Sequence, residues 1–369
     1  MKRSWIEVDL NILQENVQAI RGAISPGTEL ICVVKANAYG HGAVPVAQRA
    51  AQAGANWFAV AYLEEALKLR AALPAVNLLV LGVVDPSDTE LLLEHKVIPI
   101  VATEEHGMAL ALAARKFGRD LEAHIKIDTG MGRLGLPWER APDMIRRLAK
   151  EPGLNITGMC SHFAKVEPAE PEAAGTQADR FFSIAKEAED LLGRRLFKHL
   201  SSSRAILYQK DWDLNGIRPG IILYGYGTGK KDMRFRTRPI LQWKAFVMQV
   251  RSVPAGLPIG YYGTYKTRQP TDIATLAVGY ADGYLRILSN KGYVLVHGRR
   301  CPVVGRVSMN WIAVDVGPDS GVKRGDVAVL IGEQGNESVW ANELAQKCIT
   351  IPYEILTGID SSIRRQYIY

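Results

Sequence analysis

From residue 29 to about residue 226 the chain repeats one pattern: a short apolar run, a helix-like stretch, then another short apolar run. The runs are ELICVV (29–34), WFAVAY (57–62), NLLVLG (77–82), VIPIVA (97–102), EAHIKI (122–127), NITGMCSHF (155–163), FKHLS (197–201) and LNGIRPG (214–220). Between them lie segments such as LEEALKLRAAL, where Leu63, Ala66 and Leu67 share one helix face at i, i+3, i+4 spacing. Eight strands alternating with helices predict an α/β fold closed into a (β/α)8 (TIM) barrel. A doubly wound open sheet is the rival architecture, but its usual GxGxxG turn is missing after the first strand. Ahead of the first run, Leu10, Leu13, Val17, Ile20 and Ile24 form another apolar stripe, with Asp9 placed to cap it.

After residue 239 the pattern changes. LQWKAFVMQVRSV, TDIATLAVGY, GYVLVHG, CPVVGRVSMNWIAVDV and GDVAVLIG are β-rich and punctuated by glycine, and only a short helix around VWANELAQK interrupts them. The 369 residues suit two domains on a prior of roughly 100–200 residues each. The expected division is a barrel over 1–237 and a mostly-β C-terminal domain over 238–369, with the extreme N-terminal strand packing on the second.

Composition excludes several classes. With 47% hydrophobic and 22% charged residues, this is an ordinary globular protein. MKRSWIEVDL has a basic start but no apolar stretch behind it, so no signal peptide is expected. No apolar run approaches the ~18 residues of a membrane span. Cys32, Cys160, Cys301 and Cys348 are far apart, without CxxC or metal-ligand spacing, which suggests reduced thiols in a cytoplasmic protein and no metal site. The densest basic stretch, KKDMRFRTRP (230–239), lacks interleaved aromatics and reads as a solvated interdomain connection rather than a nucleic-acid surface. A net charge of +7 suits a small anionic ligand.

In a (β/α)8 barrel the active site gathers at the C-terminal strand ends. Unusual polar residues fall there: Lys35 after the first run, Lys126 and Asp128 at the fifth, His162 at the sixth, Ser201 to Ser203 at the seventh, and Arg218 with Gly220 at the eighth. Lys35, in VVKANAYGHG, is the natural nucleophile for a carbonyl cofactor, because a partly desolvated lysine near other cations is freed of its proton. Pyridoxal 5'-phosphate needs such a lysine, a phosphate cradle and a partner for its pyridine nitrogen. Ser203 with the amides after Gly220 fits the cradle and Arg218 the ring. Asp128 is expected to brace the turn at its strand end.

VVKANAYGHG, KIDTGMGRLG, IRPGIILYG and GYADGY together resemble the alanine racemase family over essentially the whole chain. The resemblance implies a pyridoxal-phosphate enzyme that interconverts L- and D-alanine, supplying D-alanine for peptidoglycan. It also implies a homodimer whose active sites use both chains. On its motifs, Lys35 holds the cofactor, and Tyr39, Ser203, Gly220, Ile221 and Tyr353 surround its phosphate. Arg218 meets the pyridine nitrogen, with His162 and His199 in the surrounding hydrogen-bond network, and Arg133 lies near the phenolic oxygen. Lys126 matches a lysine that many members carbamylate. The partner chain contributes Tyr261 as second base, with Tyr280, Arg306 and Met309 toward the substrate.

Two departures stand out. The base motif IGYYGTY has adjacent tyrosines, and its Thr264-Tyr265 ending favours Tyr261 over Tyr262. Ser202 and Asn310 replace the asparagine and aspartate usual at those positions. A free phenol ionises near pH ~10, so a tyrosine base requires nearby positive charge, expected here from His162 linked to Arg218. A guanidinium at the ring nitrogen also favours racemisation over transamination, because it stays charged and leaves that nitrogen unprotonated. A racemase of serine or another small amino acid, a decarboxylase on the same plan, and a non-catalytic cofactor carrier remain as alternatives.

Overall fold

A computed structural model describes residues 3–227 and 233–369. The basic stretch 230–239 therefore lies partly outside the described residues. Two compact units divide the chain: one of residues 13–38 and 43–237, the other of residues up to Ile12, Tyr39–Gly42 and Arg238–Tyr369. Among the described residues no helix is long and apolar enough to cross a membrane.

Strand β1 (Ser4–Asp9) belongs to the second unit. Asp9 then caps the helix Leu10–Ala23, its Oδ1 accepting the N–H groups of Asn11 (2.9 Å) and Ile12 (3.0 Å). Those are two of the first-turn donors that a helix leaves unpaired.

The first unit is built on β2 (Glu29–Val33), β3 (Trp57–Val60), β4 (Asn77–Val80), β5 (Val97–Val101), β6 (Leu121–Asp128), the two-residue β7 (Leu136–Pro137), β8 (Leu154–Cys160), β9 (Phe197–Ser202) and β10 (Gly216–Arg218). Apart from β7, each pairs in parallel with its neighbours, and β10 returns to β2, so eight strands close a barrel. All five residues of β5 are buried, as are four of five in β2. Helices cover the outside of a parallel barrel and side chains fill the inside, so its strands read as continuous apolar runs. The strands are the eight anticipated, but β8 stops at Cys160, three residues short of the apolar-looking run. Ser161 and His162 thus fall in the loop beyond it.

The second unit is mostly an antiparallel sheet, beside a separate two-stranded hairpin of Pro258–Ile259 and Tyr265–Lys266. It comprises β11 (Leu241–Val253), β12 (Pro258–Ile259), β13 (Tyr265–Lys266), β14 (Thr271–Leu276), β15 (Tyr293–Val296), β16 (Arg299–Val304), β17 (Ile312–Gly317), β18 (Val327–Gln334), β19 (Glu337–Val339) and β20 (Arg365–Ile368). The long β11 pairs with both β14 and β18, closing a ring through β17, β16 and β15. On its free side β1 pairs antiparallel with β11 and parallel with β20.

Two details differ from the sequence reading. CPVVGRVSMNWIAVDV is two strands, broken at Gly305, which adopts φ +74° and lies where a Cβ would come within 2.6 Å of the Ile259 carbonyl oxygen. A second helix, Pro352–Thr357, follows Ala341–Cys348. Six residues are too few to show helical periodicity, although Pro at the first position is a start signal.

Replacing Asp9 by Ala should destabilise the protein by about 1 kcal/mol through loss of the cap. Thermal unfolding should show a lower midpoint for this variant, and an unchanged midpoint would mean that solvent replaces the cap at no cost.

Candidate active site

The first unit gathers its unusual polar groups at the C-terminal ends of the barrel strands. Lys35 follows β2, and the chain then winds the wrong way. Ala36, Asn37 and Ala38 have φ of +51°, +54° and +54° with ψ near +50°, consecutive left-handed residues without a glycine among them. Each such residue costs roughly 1–2 kcal/mol, so the turn persists only where its surroundings impose it. Glu65 does so: its Oε1 accepts Ala36 N–H (2.6 Å), and its Oε2 accepts Ala61 N–H (2.9 Å) and Tyr62 N–H (3.3 Å). Asn37 Oδ1 accepts Ala43 N–H at 2.9 Å and closes the far side. Glu65 escaped the sequence reading because, within LEEALKLRAAL, it looks like a solvated helix residue. Its one sequence signal is its place three residues after Tyr62, at the start of the helix Leu63–Ala72.

Burial lowers the Lys35 ammonium below the ordinary lysine range, and Arg133 lowers it further against the opposing pull of Glu65. Burial likewise brings Lys126 down to about 8, with Arg218 and Arg133 reinforcing the shift and Cys160 and Asp128 opposing it. Asp128 braces the following turn: its Oδ1 accepts the N–H groups of Gly130 (3.0 Å), Met131 (2.8 Å) and Gly132 (3.1 Å). Burial pushes that carboxyl up, but these donors outweigh it and hold it below the usual range.

Arg218 ends β10 and is 4% exposed. Its Nη1 donates to His199 Nδ1 (2.6 Å) and to the His199 carbonyl (2.5 Å), and its Nη2 donates to the carbonyls of Ser161 (2.5 Å) and Leu200 (2.9 Å). A guanidinium has only donors, so His199 Nδ1 must present a lone pair. The His199 proton then sits on Nε2 and is donated to His124 Nδ1, 2.9 Å away. One direction of donation therefore runs from Arg218 through His199 to His124. His124 lay unremarked inside the apolar run EAHIKI, because a lone buried histidine carries no signal until its partner is known.

All three histidines near this group are neutral. Burial and then Arg218 bring His124 down to about 3. Burial, Arg218, Lys126, Arg133 and Lys35 bring His162 to about 2. His199 lies well below the ordinary value through burial and then Arg218. The expectation that His162, linked to Arg218, carries positive charge is therefore corrected: burial first, and then the surrounding cations, hold its ring neutral, and the ring that Arg218 engages is that of His199.

Ser203 and Gly220 are both buried, and Ser203 Oγ accepts Gly220 N–H at 2.9 Å, with Ile221 buried beside them in sequence. Lys35, Lys126, Arg133 and Arg218 thus converge with hydroxyl and amide groups. The two carboxylates in the electrostatic neighbourhood, Glu65 and Asp128, are both committed to backbone N–H donors. Such a cation surplus calls for an anionic ligand, and a phosphate with a phenolate fits it.

The second unit carries the other candidates. The rings of Tyr39 and Tyr353 lie 5.8 Å apart, and burial pushes the Tyr39 phenol up. Tyr261 and Tyr262 form the tip of the β12–β13 hairpin. The backbone of Gly260 packs on Arg306, where an added Cβ would stand 3.3 Å from Arg306 N. Tyr280 N–H donates to the Ser308 carbonyl and Ala281 N–H to that of Met309, both at 3.0 Å. Gly279 permits this approach, since a Cβ there would meet both carbonyl oxygens at 2.3 Å.

The fold is a (β/α)8 barrel whose strand ends gather a cluster of cations, among them a lysine of lowered basicity. Models of the alanine racemase N-terminal and C-terminal domains match residues 8–228 and 240–367. The alanine racemase of Halothermothrix orenii is 40% identical over 365 residues, spanning 99% of this chain and 96% of that one. The solved alanine racemase of D-cycloserine-producing Streptomyces lavendulae superposes with a TM-score of 0.93 at 33% identity, covering 100% of this chain and 98% of that one. The alanine racemase of Bartonella henselae, with covalently bound pyridoxal phosphate, gives 0.89 at 32% identity over the whole of both chains. The chain belongs to the alanine racemase family, enzymes of the isomerase class.

Neutral His124, His162 and His199 make stability pH-dependent with a defined sign. Unfolded histidines take up protons below about pH 6.5, whereas these do not until their folded values, about 3 for His124 and about 2 for His162. Their contribution is complete above pH ~6.5 and is lost as pH falls below it, at up to about 4 kcal/mol per pH unit for three protons. Urea midpoints measured from neutral pH downward should fall from about pH 6.5, and a flat profile to about pH 5 would contradict the neutral assignment.

Proposed function

We propose that this chain is a pyridoxal-phosphate-dependent alanine racemase acting as a homodimer, with Lys35 of one protomer and Tyr261 of the other as its two bases. The observation that carries this reading is the pair formed by a deprotonation-prone Lys35 and an Arg218 locked by four hydrogen bonds. When bound, pyridoxal phosphate acidifies the Cα–H of an amino acid attached to it. Lys35 would hold that group covalently, and its lowered basicity suits its amine, when free, to take or return a proton at Cα. Tyr261 serves the opposite face, which racemisation requires because the proton leaves one side and arrives on the other.

Arg218 would meet the ring nitrogen as a donor that keeps its proton, orienting the ring without protonating it. Ser203, Gly220, Ile221, Tyr39 and Tyr353 would hold the phosphate, and Arg133 would answer the phenolic oxygen. Lys126, its basicity lowered by burial to about 8, is the proposed site of carbamylation, where its carbamate would answer the charge of Arg133. Tyr280, Arg306 and Met309 receive the substrate end.

Support for the dimer comes from the surface of the second unit. Tyr261, Tyr280, Met309 and Trp311 are 65%, 42%, 55% and 47% exposed, an unusual set of large apolar side chains to leave in water. A two-fold assembly would cover such a face reciprocally and make two composite sites.

The test is complementation with chiral detection of alanine. Lys35→Ala and Tyr261→Ala should each be nearly inactive, because each removes one base. In a mixed dimer one site inherits both defects and the other neither, so up to half of wild-type activity should return. Mixed dimers verified by mass that stay at the parental level would refute the shared site. A wild-type protein that leaves L-alanine unchanged would refute the function itself.

A further inference from the structure

Tyr262 breaks two rules at once. Its backbone takes φ +62° and ψ 8°, the left-handed region that favours glycine, although glycines flank it at 260 and 263. Within the single chain its side chain is 88% exposed, so no packing in its own protomer offsets that conformation. A strained, exposed aromatic at the tip of a hairpin invites a search for what it touches. It touches Arg306, whose guanidinium carbon sits 5.5 Å from the centre of the Tyr262 ring.

Arg306 is half-buried and, among the described residues, forms no ion pair, and its Nε finds no hydrogen-bond acceptor. Its backbone is pinned by the packing of Gly260 and by Gly305, which lets the Ile259 carbonyl approach. A carboxylate partner would order the guanidinium but also neutralise it. An aromatic face orders it through the ring quadrupole and leaves its charge available.

We propose that Tyr262 is a positioning residue: its ring clamps Arg306 in an ordered but unneutralised state, ready for the carboxylate of an incoming amino acid. The proposal rests on the reading of this chain as an amino-acid racemase. The clamp accounts for the retention of a tyrosine where glycine would be unstrained. It also separates the roles of the adjacent tyrosines, Tyr261 toward the reacting carbon and Tyr262 toward substrate capture.

The experiment compares wild type, Tyr262→Gly, Tyr262→Phe, Arg306→Gln and the double variant Tyr262→Gly/Arg306→Gln. Kinetics are read in both directions alongside melting temperature. Tyr262→Gly should raise KM for L- and D-alanine about two- to fivefold, the range of an exposed cation–π contact, with kcat little changed. Its melting temperature should hold or rise, because glycine accepts the positive φ without strain. Tyr262→Phe, which keeps the ring, should restore KM. In the Arg306→Gln background Tyr262→Gly should add nothing, since the clamp has lost its object. An unchanged KM in Tyr262→Gly, or an equal rise in KM with and without Arg306, would overturn the proposal. A wild type that racemises no amino acid would overturn the functional reading instead.

Discussion

A guanidinium buried without a carboxylate is the constraint around which the barrel mouth is arranged. Burying a charge costs several kcal/mol unless its hydrogen-bonding capacity is met. Arg218 meets that cost with three backbone carbonyls and one imidazole lone pair. The carbonyls come from Ser161, His199 and Leu200, so β8, β9 and β10 must stay in register for the group to be satisfied. The imidazole must be neutral and of one tautomer, which places a second buried histidine, His124, behind it. Burial holds these imidazoles neutral, and the charge of Arg218 adds to it, as it does at His162.

Lys35 depends on a different expenditure. Its turn is left-handed through ordinary L-residues, and Glu65 and Asn37, each accepting backbone N–H, help to make that conformation tenable. Glu65 also opposes the lowering of the lysine's basicity, so one carboxylate both shapes the turn and limits the shift. Strain and electrostatics at this lysine are therefore coupled through one residue. In the second unit strain recurs at Tyr262, there beside Arg306, which has no ion-pair partner among the described residues.

Much of this was legible in the linear chain, for identifiable reasons. The barrel strands are short and buried on both faces, so each appears as an uninterrupted apolar run, and the polar residues that end those runs stand out against them. Lys35 and Arg218 were visible in this way. The motif KIDTGMGRLG was legible through its family resemblance, and its glycines Gly130, Gly132 and Gly135 all adopt positive φ. The six-residue helix bearing Tyr353 and the break at Gly305 were not, because neither is long enough to impose a period.

What the sequence determined by itself was local: which segments are strands, where chemistry-bearing side chains leave them, and which acidic residue caps the first helix. Those follow from periodicity, caps and turn chemistry within a few residues. Tertiary structure decided which groups meet, and that in turn decided their charge. His199 was placed in a network from the sequence, but its neutrality follows from Arg218, 19 residues away, and its tautomer is passed to His124, 75 residues away. Glu65 acts on a turn 29 residues before it. Protonation and strain depend on the distance between groups in space, and a linear sequence does not contain that distance until the barrel closes.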